Sequence, residues 1–248
     1  MAASPVHLII GASGAIGSAT ARRLADDGAT LVLAGRDEAA LDALASDTGG
    51  KARVVDARQI DQVGALVDEV VQEYGRLDGV ANLAGSVLLK PAHLTSEQEW
   101  LDTIATNLTS AFAVVRAAAP AMRKTGGSIV LASSAAAQTG IANHEAIAAA
   151  KGGVISLMLS AAATYGAKGV RVNAVAPGLV ASKMTEKLVS NEQQAEASRQ
   201  MHVLGRLGEG DDVAAAVAWL LDPATSWVTG QVIGVDGGLG HIRTRARG

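Results

Sequence analysis

Short, continuously apolar runs alternate with longer stretches of helical periodicity along nearly the whole chain. Residues 6–10, 30–34, 52–55, 79–83, 128–132, 170–175 and 232–235 read as strands. Residues 18–27, 38–46, 63–74, 144–165 and 211–221 read as helices. A longer helical stretch covers 96–124 and is expected to bend near Pro120. Strands that are apolar throughout, without a polar side, are buried on both faces and belong to parallel sheets. Right-handed crossovers then give a doubly wound α/β sheet of Rossmann type, with ligands at the carboxyl ends of the strands. No linker, repeat or low-complexity segment divides residues 1–248, so a single domain is expected.

Composition narrows this picture. Hydrophobic residues make up 49% of the chain but aromatics only 2%, so the core is built from Ala, Val, Leu and Ile. The absence of cysteine removes disulfides, thiolate metal sites and a cysteine nucleophile. No metal site is expected. A formal charge of −3 gives no broad attraction to nucleic acid or to an anionic membrane. The first strand begins too soon for a signal peptide, and no apolar run looks long enough to cross a bilayer. The expectation is a cytoplasmic protein. The tail, with Arg243, Arg245 and Arg247, is expected to fray or to pack on a neighbour.

Two stretches carry candidate chemistry. Directly after the first strand comes Gly11-Ala12-Ser13-Gly14-Ala15-Ile16-Gly17. A glycine-rich turn there lets backbone N–H groups approach a pyrophosphate at the helix N-terminus. Gly11 and Gly17 would permit the approach, with Ser13 and Ile16 inside the turn. The G-x-G-x-x-G fingerprint itself is not met, because Ser13 stands at its second glycine. The second strand ends in Gly35-Arg36-Asp37. An arginine there suits a ribose 2′-phosphate, so Arg36 favours NADP(H), while Asp37 keeps NAD(H) open. The other stretch runs from Ser128 to Gly153. The fifth strand ends at Ser133 and Ser134, and the following helix carries Lys151, a hydroxyl and an ammonium brought near one another.

Taken together these segments resemble the short-chain dehydrogenase/reductase family over essentially the whole chain. Gly11 to Gly17 looks like its phosphate loop and Asn82-Leu83-Ala84-Gly85 like its NNAG segment. Asn173 to Gly178 looks like the run over the nicotinamide, and Thr229 to Gly238 like the C-terminal signature. The resemblance implies cofactor contacts at Asp56 and Ala57, at Asn82, Ala84 and Gly85, and at Pro177, Gly178 and Val180. It makes Ser134 the residue that orients the carbonyl, and it gives Asn107 and Lys151 roles in holding the nicotinamide ribose and a water. It also implies a small carbonyl or alcohol substrate beneath a lid at 182–203. A homotetramer is implied as well, built from the helices near 100–120 and 150–165 and the C-terminal strand, the alternative being that these Ala- and Leu-rich helices simply face the sheet.

The departures are specific. Ile10 replaces the loop threonine, the loop's second glycine comes one place early with Ala15 after it, and Leu83 replaces the second asparagine of NNAG. Most consequential is Ile147, at the position of the tyrosine in the family's YxxxK, one helical turn before Lys151. A phenol there passes the proton in the family, and isoleucine cannot. His144, three residues earlier, shares a face with both if the first turn is regular, and an imidazole can supply a proton near neutral pH. The plainer reading has Asn143 and His144 starting the helix, and a water relay through Ser134 is a further route. Three functions therefore stand: a carbonyl/alcohol oxidoreductase, a cofactor-binding protein without turnover, or a non-redox lyase or isomerase.

Overall fold

The computed structural model describes residues 4–242. Seven strands form one parallel sheet: β1 (Val6–Ile10), β2 (Thr30–Gly35), β3 (Lys51–Val54), β4 (Gly79–Asn82), β5 (Gly127–Ala132), β6 (Val170–Pro177) and β7 (Val232–Val235). Their order is β3-β2-β1-β4-β5-β6-β7, the doubly wound arrangement expected from the hydrophobic pattern. The order reverses between β1 and β4, which pair directly from His7↔Gly79 to Ile10↔Asn82. The carboxyl ends of these two strands open a crevice, and the loops that follow them face each other across it.

The helices are α1 (Ala15–Asp26), α2 (Glu38–Thr48), α3 (Ile60–Tyr74), α4 (Glu97–Ile104), α5 (Ser110–Met122), α6 (Glu145–Tyr165), α7 (Glu186–Val189), α8 (Glu192–Met201) and α9 (Gly210–Leu221). Strand β1 shows how the layers form. Leu8 and Ile10 pack with residues of α3, α5 and α6, whereas Ile9 packs with α1, α2 and α9 on the other face. All three are fully buried, and each such side chain contributes roughly 1.5–3 kcal/mol of burial. This two-sided burial is why the strands read as unbroken apolar runs.

The helix boundaries shift where caps and tertiary demands decide them. α1 begins at Ala15, ahead of the expected 18, because Gly14 takes the N-cap position. The stretch expected as one helix over 96–124 is two helices joined by a π-helical turn at Ala105–Thr109. The interruption therefore falls at Asn107, while Pro120 sits near the end of α5 without breaking it. The expectation that no apolar run is long enough to span a bilayer is also corrected. The helical stretch 145–168 contains an 18-residue window of mean hydropathy 1.6, enough by length and composition to cross a bilayer. Its apolarity has another cause, because α6 packs on β5 and β6 and buries Val154, Met158 and Lys151. The tail arginines 243, 245 and 247 lie outside the described residues.

Candidate active site

The loop after β1 is shaped by two close approaches. Gly11 has φ +80°, and a Cβ on it would lie 2.6 Å from the Ala84 nitrogen. A Cβ on Gly17 would lie 2.2 Å from the Gly11 carbonyl oxygen. Both positions need glycine, the first to let the β4 loop close in, the second to seat α1 on the turn. Gly14 differs, since a Cβ there would meet only the Gly11 oxygen at 3.4 Å. α1 has no side-chain cap and no acidic residue in its first turn. Its first N–H groups and positive dipole end are left for an anion. An uncapped helix start in a glycine cradle fits a pyrophosphate.

A cleft of about 210 Å³ runs from this loop across the ends of β2, β3 and β4. It brings together Gly11, Ser13, Arg36, Asp56, Ala57, Ala84 and Gly85 of the expected cofactor residues. Asp37 is also on the rim, but its carboxylate accepts from the Ala40 N–H at 3.2 Å and caps α2. Arg36 is exposed and forms no ion pair among the described residues. Arg58, a residue the sequence did not single out, also lines the cleft and grips Asp56 with Nε at 2.9 Å and Nη2 at 2.6 Å from Oδ2. That hydrogen-bonded guanidinium holds the Asp56 carboxyl below the usual carboxylate range. Its signal was the short spacing from Asp56. Thr106 is a second missed lining residue, and Met184, from the segment after β6, also lines the cleft.

Asn82 takes a different part from the one expected. Its side chain is buried, donating to Ser110 Oγ at 3.2 Å and accepting from the Ala84 N–H at 3.3 Å. It shapes the loop that lines the cleft and does not itself line it. Ile16 and Gly17 lie in the first turn of α1, at the edge of the cradle.

Beyond Gly85 the catalytic candidates converge. A Cβ on Gly85 would lie 3.1 Å from Asn107 Oδ1 and 3.5 Å from Lys151 Nζ, so three elements meet at this point. Asn107 sits in the π turn and ties β4's loop down, donating to Ser86 Oγ at 3.0 Å and accepting from the Ser86 N–H at 3.2 Å. π turns of this kind recur at functional sites. Lys151 Nζ donates to the Ala132 carbonyl at 2.7 Å, and burial pushes its pKa down to about 8. Ser133 Oγ donates to the Lys151 carbonyl at 3.0 Å and pins α6 to the end of β5. Ser134 Oγ accepts from the Ala136 N–H at 3.2 Å, which leaves its own proton free to donate.

Ile147 is buried one turn before Lys151. His144 is the N-cap residue of α6, outside its regular turns. Asn143 before it has φ +63°, and the Ala148 N–H donates to the His144 carbonyl at 2.7 Å, so Asn143 and His144 start the helix as the plainer reading had it. The His144 Nδ1 lies 2.7 Å from the Ala142 carbonyl, which places the proton on Nδ1 and leaves Nε2 open.

After β6 the chain turns through Gly178 to Ala181. Three of these four N–H groups have acceptors: Gly178 on the Val235 carbonyl, Leu179 on His202 Nε2 and Ala181 on the Gly208 carbonyl. Pro177, Gly178 and Val180 thus lie on a backbone run held from outside the site. The lid, expected at 182–203, contains α7 and α8.

A doubly wound sheet with an uncapped glycine cradle and an Asn–Ser–Lys set at its carboxyl edge defines a nicotinamide-nucleotide oxidoreductase scaffold. The family described as enoyl-(acyl carrier protein) reductase matches residues 11–240. The chain is 38% identical over 242 residues to the 3-oxoacyl-(acyl-carrier-protein) reductase of Thermotoga maritima, covering 94% of this chain and 97% of that protein. It is also 38% identical over 242 residues to the cis-4-hydroxycyclohexanecarboxylate dehydrogenase of Sinomonas cyclohexanicum, covering 95% and 96%. The crystal structure of an actinorhodin polyketide ketoreductase with NADPH superposes at TM-score 0.90, with 30% identity over 98% of this chain and 100% of the other. The chain belongs to the short-chain dehydrogenase/reductase family.

Proposed function

We propose that this protein is an NADP(H)-dependent oxidoreductase interconverting a carbonyl and an alcohol on a small-molecule substrate. The observation that carries the reading is the meeting of Gly85, Asn107 and Lys151 at the inner end of the cleft. The residues present fit the cofactor, because the glycine cradle and the uncapped α1 offer N–H groups where a pyrophosphate would lie. When bound, the nicotinamide supplies or accepts a hydride. Ser134, with a free hydroxyl proton, orients the substrate oxygen by donating to it. Lys151 and Asn107 hold the ribose side and an ordered water. Val180 offers its N–H from the run after β6. His144, doubly protonated, delivers the proton from Nε2 and is left as the neutral ring with its Nδ1–H still tethered to the Ala142 carbonyl. Arg36 supports the choice of NADP(H), since Asp37 is occupied as a helix cap. The likeness to a ketoreductase solved with NADPH supports it too.

A second reading, cofactor binding without redox turnover, is favoured by one feature. Ile147 puts a buried apolar side chain where the family's proton donor stands. Titration with NADPH and NADH, followed by a carbonyl panel read at the nicotinamide absorbance, separates the two. Tight binding with no turnover on any substrate would favour the second. Arg36→Ala is expected to weaken NADPH by roughly 10- to 100-fold, the worth of a charge-assisted hydrogen bond, and to leave NADH nearly unchanged. Equal losses for both nucleotides would refute the cofactor choice. His144→Ala should abolish turnover, and full activity in that variant would remove His144 from the mechanism.

A further inference from the structure

We infer that His202 is a positioning residue that fastens lid helix α8 to the backbone run covering the nicotinamide end of the site. The inference rests on the reading that residues 177–180 face the cofactor. His202 is the C-cap residue of α8 and is buried. Its Nδ1 lies 2.6 Å from the Ser198 carbonyl, on α8 itself. Its Nε2 lies 3.2 Å from the Leu179 nitrogen, in the run after β6. A carbonyl only accepts and a backbone N–H only donates. The two partners therefore impose one state: a neutral ring with its proton on Nδ1 and a lone pair on Nε2.

The surroundings are built to hold that ring. A Cβ on Gly178 would lie 2.5 Å from His202 Nε2, so the imidazole fills space that any other residue at 178 would take. Gly237 presents its bare Cα side to the ring, where a Cβ would lie 3.4 Å from His202 Cβ and Cδ2. Leu179 and Ala181 are further tied to Gly208, and Thr185 Oγ1, from the start of the lid, donates to the Val180 carbonyl at 2.6 Å. Val180, whose N–H faces no acceptor in this run, is thus suspended between fixed points. One of them, the Leu179 N–H, is held by the lid's own terminal side chain. Displacing α8 costs the Leu179 hydrogen bond and loosens Val180, so lid position and cofactor retention are coupled through a single imidazole.

Three variants and one spectrum test this. In His202→Gln the side-chain oxygen reaches the place of Nε2 and keeps an acceptor for Leu179. In His202→Asn the amide reaches only the place of Nδ1, and His202→Leu offers neither. Hydrogen exchange at residues 179–181 of the cofactor-free protein, and NADPH release followed by stopped-flow fluorescence, are measured alongside thermal midpoints. Gln is expected to stay near wild type, whereas Asn and Leu exchange and release roughly five- to tenfold faster, the worth of one hydrogen bond. Wild-type behaviour in Asn and Leu, or equal behaviour of Gln and Asn, would overturn the inference. The imidazole ¹⁵N spectrum of the wild type should show Nδ1 protonated and Nε2 bare, and a protonated Nε2 would overturn it without any variant. If the wild type binds neither NADPH nor NADH, the cofactor reading fails, and the exchange data still decide the coupling.

Discussion

Lys151 carries its ammonium into the interior with a carbonyl, not a carboxylate, as its partner. Burial pushes its pKa down to about 8, whereas an unfolded lysine titrates near 10.4. Between those values the unfolded chain binds more protons than the folded one, so stability rises with pH through that window. Below about 8 both states are protonated and the burial cost is present in full, on the order of 3 kcal/mol. Lys151→Met should remove this pH dependence. Urea unfolding of wild type is expected to gain stability from pH 8 to 10, and the variant to show a flatter profile while losing nicotinamide-nucleotide affinity. A variant with the same slope as wild type would show that Lys151 is solvated. The neighbouring Ile147 gives a sharper test of chemistry. Ile147→Tyr puts a phenol one turn from this ammonium, and with His144 already delivering the proton, carbonyl reduction should change by less than about tenfold. A rise of roughly the 10²–10⁴-fold that a positioned acid contributes would mean that the native site lacks a proton donor and would overturn the role given to His144. Ser134 and Lys151 were legible in the sequence because a strand end and a helix face are periodic features. His144 was legible as the start of α6, whereas the left-handed backbone at Asn143 before it was not, because a single residue's φ leaves no periodic signature.

At the scale of elements, the loop and first turn of α1 act as one part. Gly17→Ala places a methyl within 2.2 Å of the Gly11 oxygen, and backbone cannot yield as a flexible side chain can. Overpacking of this kind costs about 1–3 kcal/mol, and the shift it forces on Gly11 should abolish nucleotide binding. Gly14→Ala meets only a 3.4 Å contact and has φ −75°, so its stability should stay within about 0.5 kcal/mol of wild type. Denaturation midpoints and NADPH titration check the pair, and equal destabilisation by both would show that the loop relaxes freely. The strands were readable because two-sided burial writes an unbroken apolar run. The π turn at Ala105–Thr109 was not, because one extra residue in a turn leaves the hydrophobic period nearly unchanged. Its tertiary counterpart is the link from Asn107 to the β4 loop, where the side chain donates to Ser86 Oγ and accepts from the Ser86 N–H. The sequence reading placed the break at Pro120, the only local signal in that helix.

For the whole molecule, the apolar residues left outside on α4, α5 and α6 bear on assembly. The sequence left open whether the Ala- and Leu-rich helices near 100–120 and 150–165 face the sheet or a neighbour. The structure divides them: Ala111, Ala113 and Val114 are buried, whereas Leu101, Phe112 and Leu159 remain 50%, 46% and 50% exposed. α6 packs against both α4 and α5, so these side chains belong to one helical layer. Large apolar side chains grouped on a layer of this kind mark a protein–protein surface. We propose that they pack in a homotetramer of this chain, as the family resemblance implies. Light scattering coupled to gel filtration should give a mass near four chains for wild type. A charge at the centre of such a surface is left without partner or solvent when subunits close, so Phe112→Glu should release smaller species. Because association stabilises only the folded state, the wild-type thermal midpoint should rise with protein concentration and that of Phe112→Glu should rise less. A wild type that runs as a monomer, with a midpoint independent of concentration, would leave Leu101, Phe112 and Leu159 as solvent-facing residues and overturn the tetramer.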